Sequence, residues 1–201
     1  GMVMDGSKKN IKYIQKDNIY WQHNLLAIPD FITKENINQI ISENGFNGNI
    51  GLLHIDIDGN DYWIWKEITV INPVIVIVEY NSVFGADKAW TVPYDPEFVR
   101  SRKHYSDLFF GASLKAIVQL AAAKGYGFIG SNSNGNNAYF VRNDKMKNLK
   151  TLTVAEGYVE SKFRECRNTQ RKLTYISGEK RLEVLRELEI YNVETGSLEK
   201  I

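Results

Sequence analysis

The sequence predicts an α/β fold in which helices cover both faces of a mostly parallel sheet and the last strand runs antiparallel. Strand-like and helix-like hydrophobic periods alternate along the first 150 residues. Two strongly apolar runs, residues 50–58 and 73–79, flank a helical stretch, as the two parallel strands of a βαβ unit do. Asn134-Gly135 lies between two later strand-like runs and favours a hairpin, so the final strand is expected to be antiparallel.

The remaining elements of the sheet and its helices follow from local patterns. Ser7 can cap the first helix, and Gly45 ends the second. A connection over residues 80–107 is long for a loop, and its aromatic content favours an ordered flap. The predicted strands are residues 2–4, 25–28, 50–58, 73–79, 126–130 and 138–142, and the predicted helices are residues 8–15, 33–44, 61–68 and 111–124.

The composition of the chain changes after residue 150. We therefore predict a Rossmann-like domain over residues 2–150 and a small mixed α+β extension over residues 151–201, packed on the main sheet. Thr195-Gly196 predicts a terminal hairpin within this extension.

The charge balance argues against several classes of partner. The chain has 25 Lys and Arg residues against 24 Asp and Glu residues, so it lacks the basic excess of a nucleic-acid-binding protein. No apolar run reaches the length of a membrane span, and the amino terminus lacks the apolar stretch of a signal peptide. Cys166 is the only cysteine, which fits a reducing compartment. These features predict a cytoplasmic protein without a membrane span.

Acidic side chains follow three of the predicted strands. Asp5 follows the first strand, Asp56 and Asp58 end the run at residues 50–58, and Glu79 ends the run at residues 73–79. Ligands of open α/β sheets bind outside the carboxyl ends of the strands. Asp56 and Asp58 lie two residues apart and are expected on one side of the strand, where two carboxylates suit a divalent cation, sugar hydroxyls or a general base.

Glu79 and His54 extend this candidate site. If Glu79 neighbours Asp56, the like charges raise one pKa and create an acid–base couple; an ion pair of Glu79 with Arg or Lys is the structural alternative. His54 alternates with Asp56 and is either a candidate base or a satisfied core group. The residues that follow the two strands are expected to contact substrate: Asn60, Asp61, Tyr80 and Asn81. A turn-and-cap role is the alternative for Asp58 and Asp61, and it is the favoured one for Asp61 alone.

Two segments resemble the FkbM-type S-adenosylmethionine-dependent methyltransferases. These are Leu52-Leu53-His54-Ile55-Asp56-Ile57-Asp58-Gly59-Asn60-Asp61-Tyr62-Trp63 and Val76-Ile77-Val78-Glu79-Tyr80-Asn81-Ser82. The resemblance implies methyl transfer from S-adenosylmethionine to a hydroxyl of a small molecule or glycan in polysaccharide biosynthesis. It implies that Asp5, with Gly6 and Ser7, binds the cofactor ribose. It also implies that Asp56 and Asp58 lie beside the methyl-transfer centre.

The resemblance also implies a glycine-rich cofactor turn before Asp5, which the 201 residues do not contain. We therefore expect either a shortened relative or a site that another subunit completes, as in a homo-oligomer. Two other hypotheses stay open. One is a metal-dependent glycosyltransferase that uses Asp56-x-Asp58, and the other is a non-catalytic domain that binds a glycan or a protein. The methyltransferase hypothesis, in contrast to the first of these, needs no metal.

Overall fold

The computed structural model describes residues 1–162 and 165–201, which form nine strands and eight α-helices. The strands are β1 (Met2–Met4), β2 (Leu26–Ile28), β3 (Gly48–Ile55), β4 (Ile71–Glu79), β5 (Trp90–Thr91), β6 (Tyr126–Ser131), β7 (Asn137–Arg142), β8 (Glu189–Asn192) and β9 (Ser197–Lys200). The helices are α1 (Lys8–Ile14), α2 (Asn18–Gln22), α3 (Ile37–Glu43), α4 (Asp61–Glu67), α5 (Arg100–Lys103), α6 (Leu114–Ala123), α7 (Val154–Gly157) and α8 (Glu179–Glu183). The fold is therefore mixed α/β.

The largest sheet has four strands in the order β3-β4-β7-β6. β3 and β4 run parallel and are joined through α4, which confirms the predicted βαβ unit. β7 runs antiparallel to both β4 and β6, and the β6–β7 hairpin turns through Gly135 at φ 72°. The predicted antiparallel last strand is thus confirmed, but the prediction of a mostly parallel sheet is wrong, because only one of the three strand pairs in this sheet is parallel.

Helices cover one face of the four-stranded sheet. Val76, Phe128 and Phe140 point to this face and are buried with Trp65 of α4 and Ile117 of α6. The β-branched run that predicted a buried strand therefore packs against helices, because the apolar face of a sheet is buried against another layer.

The opposite face is open over β3 and β4. Leu52 of β3 is 54% exposed, and its register partner Ile75 of β4 is 39% exposed. The prediction of helices on both faces therefore does not hold for this part of the sheet among the described residues. Leucine and isoleucine are depleted from solvated surfaces because their burial is favourable, so this face is an apolar surface without a cover.

β1 and β2 form a separate parallel pair. α1 follows β1 directly and is capped by Ser7, whose hydroxyl accepts from the Asn10 N–H at 3.4 Å, as predicted. Neither strand pairs with the four-stranded sheet within residues 1–162 and 165–201.

The chain after residue 150 adds a third sheet, β5-β8-β9, which is antiparallel. β8 pairs with β5 at Trp90 and Thr91, so the extension joins the long connection between β4 and α6. The predicted terminal hairpin is confirmed as β8–β9, with Gly196 at φ 68° in its turn. In the described part of the chain no helix is both long enough and apolar enough to cross a membrane.

Candidate functional site

The carboxyl ends of β1 and β3 border one polar cavity of about 230 Å³. We call it the Asp5–Asp58 cavity; its polar lining consists of Asp5, Gly6, Asn10, Asp56, Asp58 and Asn60. Five of the predicted site residues therefore lie around a single space although they come from two different sheets. β1 and β3 belong to separate sheets, but both end at this cavity, so the acids that follow them meet there.

A tight turn after β3 places the two aspartates. β3 ends at Ile55, and Asp58 adopts a left-handed backbone conformation at φ 55°, which non-glycine residues adopt only infrequently. Gly59 follows, and a Cβ at this position would lie 2.2 Å from the ring of Phe98. The strict alternation assumed for Asp56 and Asp58 therefore does not apply, since the strand has already ended; the turn brings both side chains to the same cavity instead.

The carboxylate of Asp61 holds this turn. Its Oδ1 accepts from the Ile57 N–H at 2.9 Å and its Oδ2 accepts from the Gly59 N–H at 3.0 Å. Asp61 is fully buried. Burial raises its pKa, the backbone donors oppose this shift, and the nearby Asp56 adds to it. Asp61 therefore stabilises the turn, in agreement with the turn role given above as its alternative. Its side chain is not exposed, so a ligand cannot contact it.

Arg100 is the main functional residue that the sequence analysis missed. Its Nη1 donates to Asp58 Oδ1 at 2.6 Å, and its Nε donates to the backbone oxygen of Asp107 at 2.6 Å. Its guanidinium carbon lies 3.7 Å from the ring centre of Phe110. Arg100 thus provides a positive charge among the acids of the site, fixed by hydrogen bonds and by ring stacking.

Asp56 is solvent-exposed, and its pKa responds to several of these charges. Desolvation raises its pKa and Asp58 adds to the increase, whereas His54 and Arg100 act in the opposite direction. A carboxylate with a raised pKa is a stronger base than an ordinary aspartate, which suits proton abstraction.

We expect Arg100→Gln to raise the pKa of Asp56 further, because the substitution removes a cation that stabilises the ionised carboxylate. A carbon-13 NMR titration of the aspartate side chains measures this pKa directly. Arg102→Gln, at an exposed position of the same helix, is the matched control and should leave Asp56 unchanged. An Asp56 titration that is identical in all three proteins would contradict the assigned role of Arg100.

Asp5, Gly6 and Ser7 form the start of α1. Asp5 Oδ1 accepts from the Ser7 N–H at 2.6 Å, and Asp5 Oδ2 accepts from the Asn10 side chain at 2.9 Å. An ionised carboxylate offers about four acceptor positions, so each oxygen keeps one for a ligand. Asp5 and Gly6 line the Asp5–Asp58 cavity, whereas Ser7 serves as the helix cap.

Glu79 lies in a different space, which we call the Glu79 cavity. This cavity measures about 120 Å³ and is also bordered by Arg100, Asn136 and Arg181. Glu79 is 8% exposed, and its Oε2 has no hydrogen-bond partner among the described residues. The structure therefore does not bring Glu79 into the Asp5–Asp58 cavity. Arg100, which pairs with Asp58, also borders the Glu79 cavity.

The pKa of Glu79 is raised, first by burial and then by the carboxylates of Asp61, Asp56 and Asp58. Arg100 opposes this increase. The predicted effect of neighbouring acids on Glu79 is present, with burial as its larger cause. Burial of Oε2 without a hydrogen-bond partner penalises the ionised form of Glu79, which agrees with the direction of this pKa shift.

Tyr80 and Asn81 border the Glu79 cavity, but their side chains hold the fold together. The Tyr80 hydroxyl donates to the Val159 oxygen at 2.6 Å. The Asn81 amide donates to the backbone oxygens of Leu108 and Phe110 at 2.8 and 3.0 Å. Both residues are almost fully buried. They connect the end of β4 to segments far away in the sequence.

Asn60 and His54 complete the set of predicted site residues. The Asn60 amide donates to the Asp95 oxygen at 2.8 Å, which fixes the long connection over the Asp5–Asp58 cavity. His54 is exposed, and its Nε2 lies 3.3 Å from Asn137 Oδ1. If His54 Nε2 donates this bond, Nδ1 is left as the basic nitrogen.

Eight of the eleven predicted residues line one of these two cavities, and Arg100 connects the cavities because it pairs with Asp58 and borders the Glu79 cavity. Comparison of the chain with protein-family models gave no match, and comparisons with curated proteins and with solved structures gave none either. The family resemblance therefore rests on the two segments quoted above and stays a prediction.

Proposed function

We propose that this chain is a Rossmann-like, methyltransferase-type domain that binds S-adenosylmethionine and acts on a hydroxyl group of a sugar or glycan in polysaccharide biosynthesis. The observation that supports the proposal is the Asp5–Asp58 cavity, in which the acid after β1 meets the two acids after β3. The resemblance assigns ribose binding to the first and the methyl-transfer centre to the others.

The donor chemistry of the cavity fits part of the cofactor. Asp5 keeps one free acceptor position on each oxygen, which suits the two hydroxyl groups of a ribose. In residues 1–162 and 165–201 no strand pairs with the second edge of β1 or with that of β3, so no strand-and-glycine-turn unit lies there to bind the carboxylate and amine of the methionine end. The residues present therefore fit the ribose half of the cofactor and not its methionine half.

The proposed chemistry of the chain's own residues is general-base catalysis. S-adenosylmethionine supplies an electrophilic methyl group when it is bound. Asp56, with its raised pKa, accepts the proton of the acceptor hydroxyl, and His54 is the alternative base. Asp58 does not serve as the base, because its carboxylate is paired with Arg100 at 2.6 Å.

The glycosyltransferase alternative receives less support from the geometry. Asp58 already pairs with the guanidinium group of Arg100, a cation that takes the place a metal would need. Within the described residues, no group of three or more His, Cys, Asp or Glu side chains is arranged to hold a metal ion. A non-catalytic binding domain predicts that Asp56→Asn leaves biological activity intact, whereas both enzyme hypotheses predict a large loss.

The proposal is tested by calorimetric titration of the chain with S-adenosylmethionine and S-adenosylhomocysteine. We expect binding that Asp5→Asn weakens by about 10-fold or more, because a hydrogen bond to a charged group contributes roughly 1.5–3 kcal/mol. Asp87→Asn is the matched control, since Asp87 is exposed and lies outside the cavities described above.

Absence of heat and of any thermal shift at millimolar ligand would remove cofactor binding by this chain. Equal binding by wild type and Asp5→Asn would instead place the cofactor elsewhere. Binding of a nucleotide diphosphate sugar that requires manganese would support the glycosyltransferase alternative and contradict the proposal.

A further inference from the structure

A long groove separates β1 from β3. It encloses about 740 Å³ and runs along the whole of β1 and most of β3, and we call it the β1–β3 groove. β1 pairs with β2 alone and β3 pairs with β4 alone in the part of the chain that the structure describes. Because both strands end at the Asp5–Asp58 cavity, they run side by side in the same direction.

The backbone of β1 directs hydrogen-bonding groups into this groove. The Leu26 N–H donates to the Gly1 oxygen, and the Asp5 N–H donates to the Ile28 oxygen. Backbone groups of a strand alternate between its two sides, so the N–H and C=O groups of Met2 and Met4 point away from β2. Outside the β1–β2 pair, the N–H of neither methionine donates a hydrogen bond to a described residue.

The same argument applies to β3 on the other side of the groove. The Gly48 N–H donates to the Val70 oxygen, which directs the even-numbered residues of β3 towards β4. The N–H and C=O groups of Gly51 and Leu53 therefore point into the groove. Two rows of unpaired donors and acceptors thus face each other across one space.

We propose that an extended segment of a partner polypeptide inserts into the β1–β3 groove as a β-strand and pairs with β1 and β3 at once. A strand is the occupant that matches both walls, because it presents donors and acceptors on its two edges with the same spacing. An acyl chain or an apolar side chain fills such a groove without satisfying either row.

The side chains around the groove define the chemistry of the inserted segment. The floor of the groove includes the buried Ile41 of α3 and the partly buried Phe46, so the segment needs apolar residues at alternate positions. The opposite face of the inserted segment would adjoin the open apolar surface of Leu52 and Ile75, and a further element of the partner would cover that surface.

Insertion would join the two-stranded and the four-stranded sheets and remove two exposed strand edges, which otherwise favour aggregation. One end of the inserted strand would reach the Asp5–Asp58 cavity, so the partner would supply a wall of the proposed site. The inference does not depend on the proposed function, because it follows from backbone pairing alone.

The test joins a strand-forming peptide to the chain. A nine-residue peptide of alternating valine and threonine is ligated to Gly1 through 16 glycine and serine residues, a linker that spans about 20–24 Å on average. Amide hydrogen exchange is then measured by NMR. We expect exchange at Met4, Gly51 and Leu53 to slow by roughly 100-fold or more relative to the chain with the linker alone.

Two matched controls distinguish insertion from other binding modes. In one the odd positions of the peptide are N-methylated, and in the other the even positions, so that each loses the donors of one edge. Insertion between two edges predicts that each control peptide binds more weakly than the unmodified peptide. It also predicts that one control loses the protection at Met4 and the other loses the protection at Leu53.

Full protection with either N-methylated peptide would mean pairing at a single edge and would overturn the inference. Unchanged exchange at Gly51 and Leu53 with the unmodified peptide would overturn it as well, as would protection that appears only in a dimer found by sedimentation. None of these results depends on cofactor binding, so failure here is distinguishable from failure of the proposed function.

Discussion

Glu79→Gln is expected to stabilise the protein at neutral and alkaline pH and to remove a pH dependence of its stability. Glu79 is 8% exposed, lacks a partner at Oε2 and has a pKa raised by burial and by three neighbouring carboxylates. Glutamine has almost the same shape as protonated glutamate, so the substitution keeps the side chain neutral at every pH.

The sign of the effect follows from proton linkage. An ordinary glutamate ionises near pH 4.5, whereas Glu79 keeps its proton in the folded chain above that pH. The folded state then binds more protons than the unfolded state, so the stability contribution of Glu79 is complete below pH 4.5 and is lost as pH rises. The loss amounts to at most about 1.4 kcal/mol per pH unit, which gives a difference of roughly 2–3 kcal/mol between variant and wild type at pH 7.

Chemical denaturation of both proteins between pH 5 and pH 9 measures this difference. The two free energies of unfolding should nearly coincide at pH 5 and diverge steadily as pH increases. Glu183→Gln, at an exposed position of α8, is the control and should run parallel to wild type. Parallel curves for Glu79→Gln would show that Glu79 ionises normally and that the Glu79 cavity is better solvated than its geometry indicates.

The parts of the fold that were predictable from the sequence depend on contacts between neighbours in the chain. The β-branched run before Glu79, the helix after Gly59 and the turn at Asn134-Gly135 each determine a local structure, and together they define β3, α4, β4 and the β6–β7 hairpin. The sequence predicted the convergence of Asp5 with Asp56 by treating their strands as parts of one sheet; the two acids do line one cavity, although β1 and β3 lie in separate sheets.

The rest depends on contacts between distant residues. Arg100 reaches Asp58 across 42 positions, and the sequence around it has no periodic pattern that would mark it. Tyr80 follows a strand end, which predicted contact with a substrate, yet its hydroxyl bonds Val159, 79 residues away. Only one signal was available for Arg100: an acidic cluster of this size needs a nearby cation to limit repulsion.

Asp61→Ala is expected to cost about 2–5 kcal/mol of folding stability and to disorganise the turn that places Asp56 and Asp58. Asp61 is fully buried, and its two oxygens accept from the N–H groups of Ile57 and Gly59. Alanine leaves both donors unsatisfied, and each buried unsatisfied group costs roughly 1–3 kcal/mol. Denaturation with urea measures the loss, and NMR shifts of residues 56–60 report the turn.

Asp61→Asn separates the hydrogen bonds from the charge. The amide oxygen keeps one acceptor, so we expect a smaller loss of about 1–2 kcal/mol. The substitution also removes the carboxylate that contributes most, after burial, to the raised pKa of Glu79. The pKa of Glu79 should therefore fall in Asp61→Asn, and the stabilisation by Glu79→Gln at pH 7 should shrink in that background. Strict additivity of the two substitutions would show that Asp61 and Glu79 do not interact, because coupled groups give a non-zero interaction free energy in a double-mutant cycle.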